Sequence, residues 1–317
     1  MTELEPLPGV VLEWGGSHRR NLPWRHTRDP WEVLVAEVML QRTGADRVSS
    51  YWSRFLTRFP TPAACASAPL SEIIVEWTGL GYNRRALNLH RCAVALVECH
   101  GGQVPENLED LLALPGIGAY TARALLVFAL ERDVGVVDTN VGRVLARWSG
   151  ESLTPSRAQD LADRSVPNGE GWAWNQALLD LGATICRAGE PDCDRCPLST
   201  DCQWKGSGPD PARGSAQVGG RQSPFEGSDR QGRGRLVDAL RQKPVEANRL
   251  SEAMGWPREP DRAERVAAGL VADGLAERVG EQYTLPTGGS KPTPVRAETS
   301  SATASSARAT ISPSVRS

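Results

Sequence analysis

Apolar residues recur along the first two hundred positions at helical spacing, in blocks separated by Gly-, Pro- and Asn-containing turns. The pattern predicts a short amphipathic helix over 9–20 with Val11 and Trp14 inward, then a loop, 21–25, that brings Trp24 and Arg25 together. Asp29-Pro30-Trp31-Glu32 reads as a helix start, with Asp29 as N-cap, Pro30 in the first turn and Glu32 placed to complete a capping box. The helix that follows, Trp31 to Gln41, is apolar almost all round and is therefore expected to be buried. Helices are predicted at 46–58 and 70–77, separated by Thr61-Pro62-Ala63, and at 86–100, where Leu87, Leu89, Ala93 and Leu96 share one face. Further helices follow at 141–148, 156–164 and 174–186.

Two positions break this pattern. Glu37 lies in the middle of the most apolar helix, and a buried, unpaired carboxylate is costly and tends to keep its proton near neutral pH. An ion pair with an arginine is the structural alternative. The second break is the stretch Leu114 to Asn140. Leu114-Pro115-Gly116-Ile117-Gly118 forms a tight hairpin between two helices, because proline stops the incoming helix and the glycines permit backbone angles other residues avoid. The helix from Ala119 to Leu130 directs its first amides out of that hairpin, an anion-binding arrangement suited to a DNA phosphate. An extended run then ends in Val136-Val137-Asp138-Thr139-Asn140, with Asp138 just ahead of the next helix. By itself such an acid is usually an ordinary N-cap.

The 317 residues suffice for one large domain and a small one. No apolar run approaches the ~20 residues of a membrane span, and the acidic N-terminus has no signal-peptide core, so a cytoplasmic protein is expected. Residues 1–204 hold 19 Arg, no Lys and 25 acids, a net charge of −6, while residues 205–317 carry +4, which together give the overall −2. A DNA-binding core of that charge must rely on local patches and backbone amides. Four of the seven cysteines crowd into Cys186-x6-Cys193-x2-Cys196-x5-Cys202, which is no disulfide framework. Four thiolates so spaced suit a tetrahedral zinc or a 4Fe–4S cube, and the single close pair leans towards the cube.

Beyond the core, residues 205–228 are rich in Gly, Ser, Pro, Gln and Arg and read as a flexible linker. Residues 229–286 show three helices (230–242, 247–255, 261–273) and two short strands around Gly280-Glu281, an order that resembles a winged helix-turn-helix. The tail, 287–317, is Ser/Thr/Ala/Arg-rich and expected to be disordered.

With these residues in view, the chain resembles the endonuclease III superfamily of DNA glycosylases, and specifically its MutY-type adenine DNA glycosylases. The resemblance rests on Asn21-Leu-Pro-Trp-Arg25, Glu37-Val-Met-Leu-Gln41, Gly79-Leu-Gly-Tyr82, the 114–118 hairpin, Val137-Asp-Thr-Asn-Val141 and Asn175-Gln-Ala-Leu-Leu-Asp-Leu-Gly-Ala183. It covers nearly all of residues 8–204, including the cysteine spacing. It implies an all-α helix–hairpin–helix glycosylase fold with a 4Fe–4S cluster on Cys186, Cys193, Cys196 and Cys202. The implied activity is excision of adenine mispaired with 8-oxoguanine or guanine in double-stranded DNA, by base flipping and hydrolysis of the N-glycosidic bond, in a monomeric enzyme. By position, Glu37 would protonate N7 of adenine and Asp138 would stabilise C1′, with Tyr120 and Asn140 hydrogen-bonding these acids. Arg25 and Gln176 would contact the flipped adenine; Gln41, Arg42, Thr43 and Tyr82 would fill the gap and touch the opposite base; Gly116 and Gly118 would grip the backbone.

Three departures stand out. Gln41-Arg42-Thr43 followed by Ala45 leans towards thymine–guanine mismatch glycosylases, which makes T·G or U·G mismatches the alternative substrate, whereas Gln176 leans towards adenine. The usual Nudix-like reader of 8-oxoguanine is missing, since residues 205–317 contain no histidine. The C-terminus resembles the shorter one of actinobacterial members instead.

Overall fold

A computed structural model describes residue 7 and residues 9–215, 218 and 224–287; the tail expected to be disordered lies almost wholly outside the described residues. Eleven helices build the first part: α1 (Val10–His18), α2 (Pro30–Leu40), α3 (Ala45–Arg58), α4 (Pro62–Ser67), α5 (Leu70–Glu76), α6 (Arg84–His100), α7 (Leu108–Ala113), α8 (Ala119–Phe128), α9 (Thr139–Ser149), α10 (Pro155–Ser165) and α11 (Gly171–Thr184). Helix α4 was expected only as a break between helices. The Thr61 side chain caps it by accepting from the Ala64 amide, with Pro62 in the first turn.

Helix α2 is the central element, with eight of its eleven residues buried. Asp29 caps it as expected, accepting from the amides of Trp31 and Glu32 at 2.8 and 3.0 Å. Glu32 does not close a capping box, because the Asp29 amide donates to Thr27 Oγ1 instead, at 3.0 Å.

Buried apolar residues fall into two clusters. One gathers α2 to α8 around Leu34, Met39, Phe55, Trp77, Leu89 and Leu125. The other packs α1 and α9 to α11 around Val11, Leu145, Leu161, Trp174 and Leu181. Glu37 belongs to an element of the first and Asp138 to an element of the second, so the two acids meet at the seam.

The C-terminal segment contains α12 (Asp229–Leu240), β1 (Val245–Glu246), α13 (Leu250–Met254), α14 (Pro260–Asp273), β2 (Glu277–Val279) and β3 (Gln282–Thr284). Its three strands form an antiparallel sheet in the order β1-β3-β2, one strand more than the sequence pattern predicted. Its apolar residues, Leu236, Trp256 and Leu270 among them, join the first cluster. Part of the stretch expected to be a linker also packs on the core. Ala212 is buried, the Ser215 hydroxyl accepts from the Leu153 amide at 2.9 Å, and Asp210 pairs with Arg147 at 2.7 Å.

Candidate active site

Three elements meet at Glu37: helix α2 carries it, α8 contributes Tyr120 from its first turn, and α9 begins at Asp138. Glu37 is 4% exposed and its Oε2 has no hydrogen-bond partner. Its pKa is pushed up to about 7, chiefly by burial; the Tyr120 hydroxyl opposes this, the Asp138 charge adds to it, and the Arg25 guanidinium opposes it more weakly. Near neutral pH this carboxyl therefore exists both with and without its proton, as a general acid must. Burial also raises the Tyr120 phenol well above its ordinary value, and both carboxyls beside it add to that, so it stays a neutral hydroxyl.

Asp138 is held differently. Its Oδ1 accepts from the Asn140 and Val141 amides at 2.8 and 2.7 Å, and its Oδ2 accepts from the Asn140 side chain at 2.9 Å. Burial raises its pKa above the ordinary carboxylate value, and these three bonds and the Arg143 charge oppose that only in part. The N-cap role and the proposed chemical role thus coincide in one carboxylate. The extended run that delivers it is clamped by Asn175, which donates to the Val134 and Gly171 carbonyls and accepts from the Val136 amide at 2.8 Å. Next to it, Gln176 is 4% exposed, and no hydrogen bond from its side chain to another described residue is formed.

Arg25 is not free to read a base. It is 6% exposed and forks onto Asp180 at 2.7 and 2.9 Å, while Arg20 reaches the same carboxylate at 2.5 Å. Burial works to raise the Asp180 pKa, but the Arg25 and Arg20 bonds outweigh it and hold the carboxyl below the usual range. Asp180 went unnoticed in the sequence, although it shares the signal that flagged Glu37: a lone acid in an apolar helical run.

Two turns lie against the C-terminal end of α2. Arg42 and Tyr82 both adopt left-handed backbone conformations, φ 60° and 47°, as do Glu131 and Lys205 elsewhere in the chain. Tyr82 is 40% exposed. Buried Arg85, also missed from sequence, ties the turns together. Its Nη1 donates to the carbonyls of Val38, Met39 and Gln41, and its Nη2 to Thr43 Oγ1 and the carbonyls of Leu80 and Gly81, all at 2.6–3.1 Å. Gln41 faces inward, its Nε2 3.5 Å from Thr121 Oγ1.

The hairpin lies beside α6. Gly116 has φ +78°, and a Cβ there would sit 2.6 Å from Asn88 Cβ, so both its conformation and its packing require glycine. Gly118 caps α8 with no side-chain bond and has open space around it, leaving the first amides of α8 uncapped by any side chain.

The four clustered cysteines line one cavity with Arg147, Ile185 and Trp204. Each of Cys186, Cys193 and Cys196 feels the charge of Cys202, so the thiols converge. Arg147 donates to Cys186 Sγ at 3.5 Å and to the Arg187 carbonyl at 2.7 Å. A Cβ at Gly206 would lie 3.2 Å from Cys193 Sγ. Four thiols lining one cavity are the donor set that a 4Fe–4S cube takes. Arg143, one helical turn before Arg147, donates to Asn140 Oδ1 at 2.8 Å and to the Cys186 carbonyl at 2.7 Å.

A hairpin with uncapped helix amides, followed by an acid at the next helix start and facing a buried glutamate, defines a helix–hairpin–helix glycosylase. Residues 35–167 match the HhH-GPD superfamily of base excision DNA repair proteins. The adenine DNA glycosylase of Mycolicibacterium smegmatis is 40% identical over 279 residues, 86% of this chain and 94% of that protein. A thymine/uracil-DNA glycosylase of Methanothermobacter thermautotrophicus is 34% identical over 201 residues, 62% of this chain and 91% of that protein. Among solved structures, a thermostable thymine-DNA glycosylase superposes with a TM-score of 0.59 at 32% identity, covering 62% of this chain and 94% of that one. The mycobacterial match is too long to be confined to the glycosylase core. The chain belongs to the adenine DNA glycosylase family of the HhH-GPD superfamily.

Proposed function

We propose that the chain excises adenine mispaired with 8-oxoguanine or guanine in duplex DNA and leaves an intact abasic site. The observation that carries this reading is the pairing of a glutamate poised at a pKa of about 7 with a differently held aspartate. Glu37 in its protonated form donates to N7 of the flipped adenine from its unpartnered oxygen. This makes the base a neutral leaving group as the bond from C1′ breaks. Asp138, ionised, stabilises the oxocarbenium-like sugar. Glu37, left as the carboxylate, then takes a proton from the attacking water. Tyr120 holds the glutamate, and Asn140 holds the aspartate. The unengaged Gln176 amide supplies a donor and an acceptor for the edge of adenine.

The uncapped amides after Gly118 receive a DNA phosphate. Tyr82, Gln41, Arg42 and Thr43 fill the vacated stack and meet the opposite base, and the Thr43 hydroxyl, accepting from Arg85, keeps its own proton to donate. Cys186, Cys193, Cys196 and Cys202 hold a 4Fe–4S cluster, whose binding energy folds the 186–202 loop onto α9. Arg42, together with the 34% identity to a thymine/uracil-DNA glycosylase, favours T·G or U·G duplexes as a second substrate class. Single-turnover excision from A·8-oxoG, A·G, A·C, T·G and U·G duplexes tests the proposal. Release of thymine or uracil without adenine would overturn it.

A further inference from the structure

The turn that carries Tyr82 belongs to no sheet and to no helix interior, yet it must keep a left-handed residue in place. From within, Arg85 bonds the carbonyls of Leu80 and Gly81. From outside, the C-terminal segment reaches the same turn. Arg241, at the end of α12, donates from Nη2 to Asn83 Oδ1 at 2.8 Å and from Nε to the Ile74 carbonyl at 3.1 Å. These contacts join residues more than 150 positions apart in the chain. The Arg241 side chain is only 5% exposed, although the carboxylate that balances it, Asp238, is 65% exposed. Beside it, Arg84 pairs with Asp273 of α14 at 3.5 Å, and the Ser71 amide donates to the Pro286 carbonyl at 3.1 Å.

A winged-helix-like module would ordinarily offer its third helix to a DNA groove. Here Arg262 of α14 is held within the module by Asp229 at 2.8 Å, and the more exposed Arg265 reaches the same carboxylate at 3.2 Å. The same helix exposes Asp261 and Glu264. Its surface is poorly suited to phosphates. What the module does present, at the residue adjacent to Tyr82, is a buried cation.

We propose that Arg241 is a positioning residue for the Tyr82 turn, so that the C-terminal module serves excision as a buttress acting through Asn83 and not as a second reader of DNA. This rests on the reading of Tyr82 as the side chain that fills the vacated stack. A 2-aminopurine placed next to the target adenine reports unstacking by stopped-flow fluorescence, and single-turnover excision is read in parallel with the full-length protein. Arg241→Met and Asn83→Ala are each expected to slow unstacking, by about ten- to a hundredfold if the turn shifts by an ångström. Their double variant should be no slower than the worse single one. In a Tyr82→Ala background neither should cost anything further, a result that general destabilisation would not give. Asn83→Ala leaves α12 untouched, so it decides the question even if Arg241→Met folds poorly. Unchanged unstacking in Asn83→Ala, or an equal loss with and without Tyr82, overturns the proposal. A wild-type protein that releases no adenine from any duplex would instead overturn the assigned activity.

Discussion

The Asn140 side chain donates to Asp138 Oδ2 at 2.9 Å while its own carbonyl oxygen accepts from Arg143 at 2.8 Å. The amide is thereby oriented from behind, and its donor end is fixed on the carboxylate. Glu37 has no comparable set of donors, which is why burial lifts it to about 7. The two acids are therefore tuned apart by their surroundings.

Activity should follow a bell-shaped pH profile in kcat/KM, since Glu37 must be protonated and Asp138 ionised. The alkaline limb should fall through about pH 7, where Glu37 loses its proton. Asn140→Ala removes a bond that favours the ionised aspartate, so it should move the acid limb to higher pH. Glu37→Gln and Asp138→Asn should each abolish excision while leaving duplex binding within a few fold. A Glu37→Gln variant that retained more than a tenth of the single-turnover rate would refute the general-acid role.

Stability should show the same acid from the other side. The folded pKa of Glu37 lies above its unfolded value of 4.5, so the folded state binds the proton more tightly. Below about pH 4.5 both states are protonated and Glu37 costs nothing. Between there and about pH 7 stability falls, and above pH 7 the cost levels off at about 3 kcal/mol. Glu37→Gln should therefore stabilise the protein by an amount that is largest above pH 7 and vanishes towards pH 4. Denaturant midpoints across that range check this; an advantage independent of pH would contradict it.

No lysine occurs in residues 1–204, so no side-chain amine of the core can form a Schiff base with the opened sugar. The enzyme should leave an abasic site uncleaved. Borohydride should trap no stoichiometric adduct at a core side chain, and appearance of one would show that an amine reaches C1′.

The cysteine cavity should yield about four irons per chain and a brown protein. Asp210→Asn should weaken the hold on Arg147, which pairs with it at 2.7 Å and also reaches Cys186, and so speed bleaching of the cluster in air. Zinc in place of iron after anaerobic purification would refute the assignment.

What the sequence disclosed follows from which signals are local. Asp29 at a helix start, Pro115-Gly116 at a hairpin and Glu37 in an apolar run each announce themselves within a few residues. Arg85 and Arg241 do not, because their partners are carbonyls and amides of distant turns that no spacing encodes. Arg25 is placed at the base by resemblance alone, and its ion pair leaves no local signal because its partner, Asp180, lies 155 residues away. The left-handed Arg42 and Tyr82 were likewise invisible, as neither residue type favours that conformation.

The last expectation concerns the opposite base. 8-Oxoguanine differs from guanine by a carbonyl at C8 and a proton on N7, so discrimination needs groups set against that edge. Thr43, Arg42 and Tyr82 are the side chains proposed to meet that base, and Arg85 fixes Thr43 and the Tyr82 turn with bonds of 3.0–3.1 Å. One or two hydrogen bonds, at roughly 0.5–1.5 kcal/mol each, give a preference between about twofold and a little over a hundredfold for 8-oxoguanine over guanine. Arg42 adds a donor that suits acceptors on either purine. Arg85→Met would strand six oxygens that it now satisfies and release both turns, so the preference should collapse towards unity while excision from A·G slows. Thr43→Val should narrow the preference without that general loss, because it removes only the hydroxyl. Single-turnover rates on the two duplexes decide the matter: a gap beyond a thousandfold in the wild type would require a reader of the C8 edge other than these three side chains.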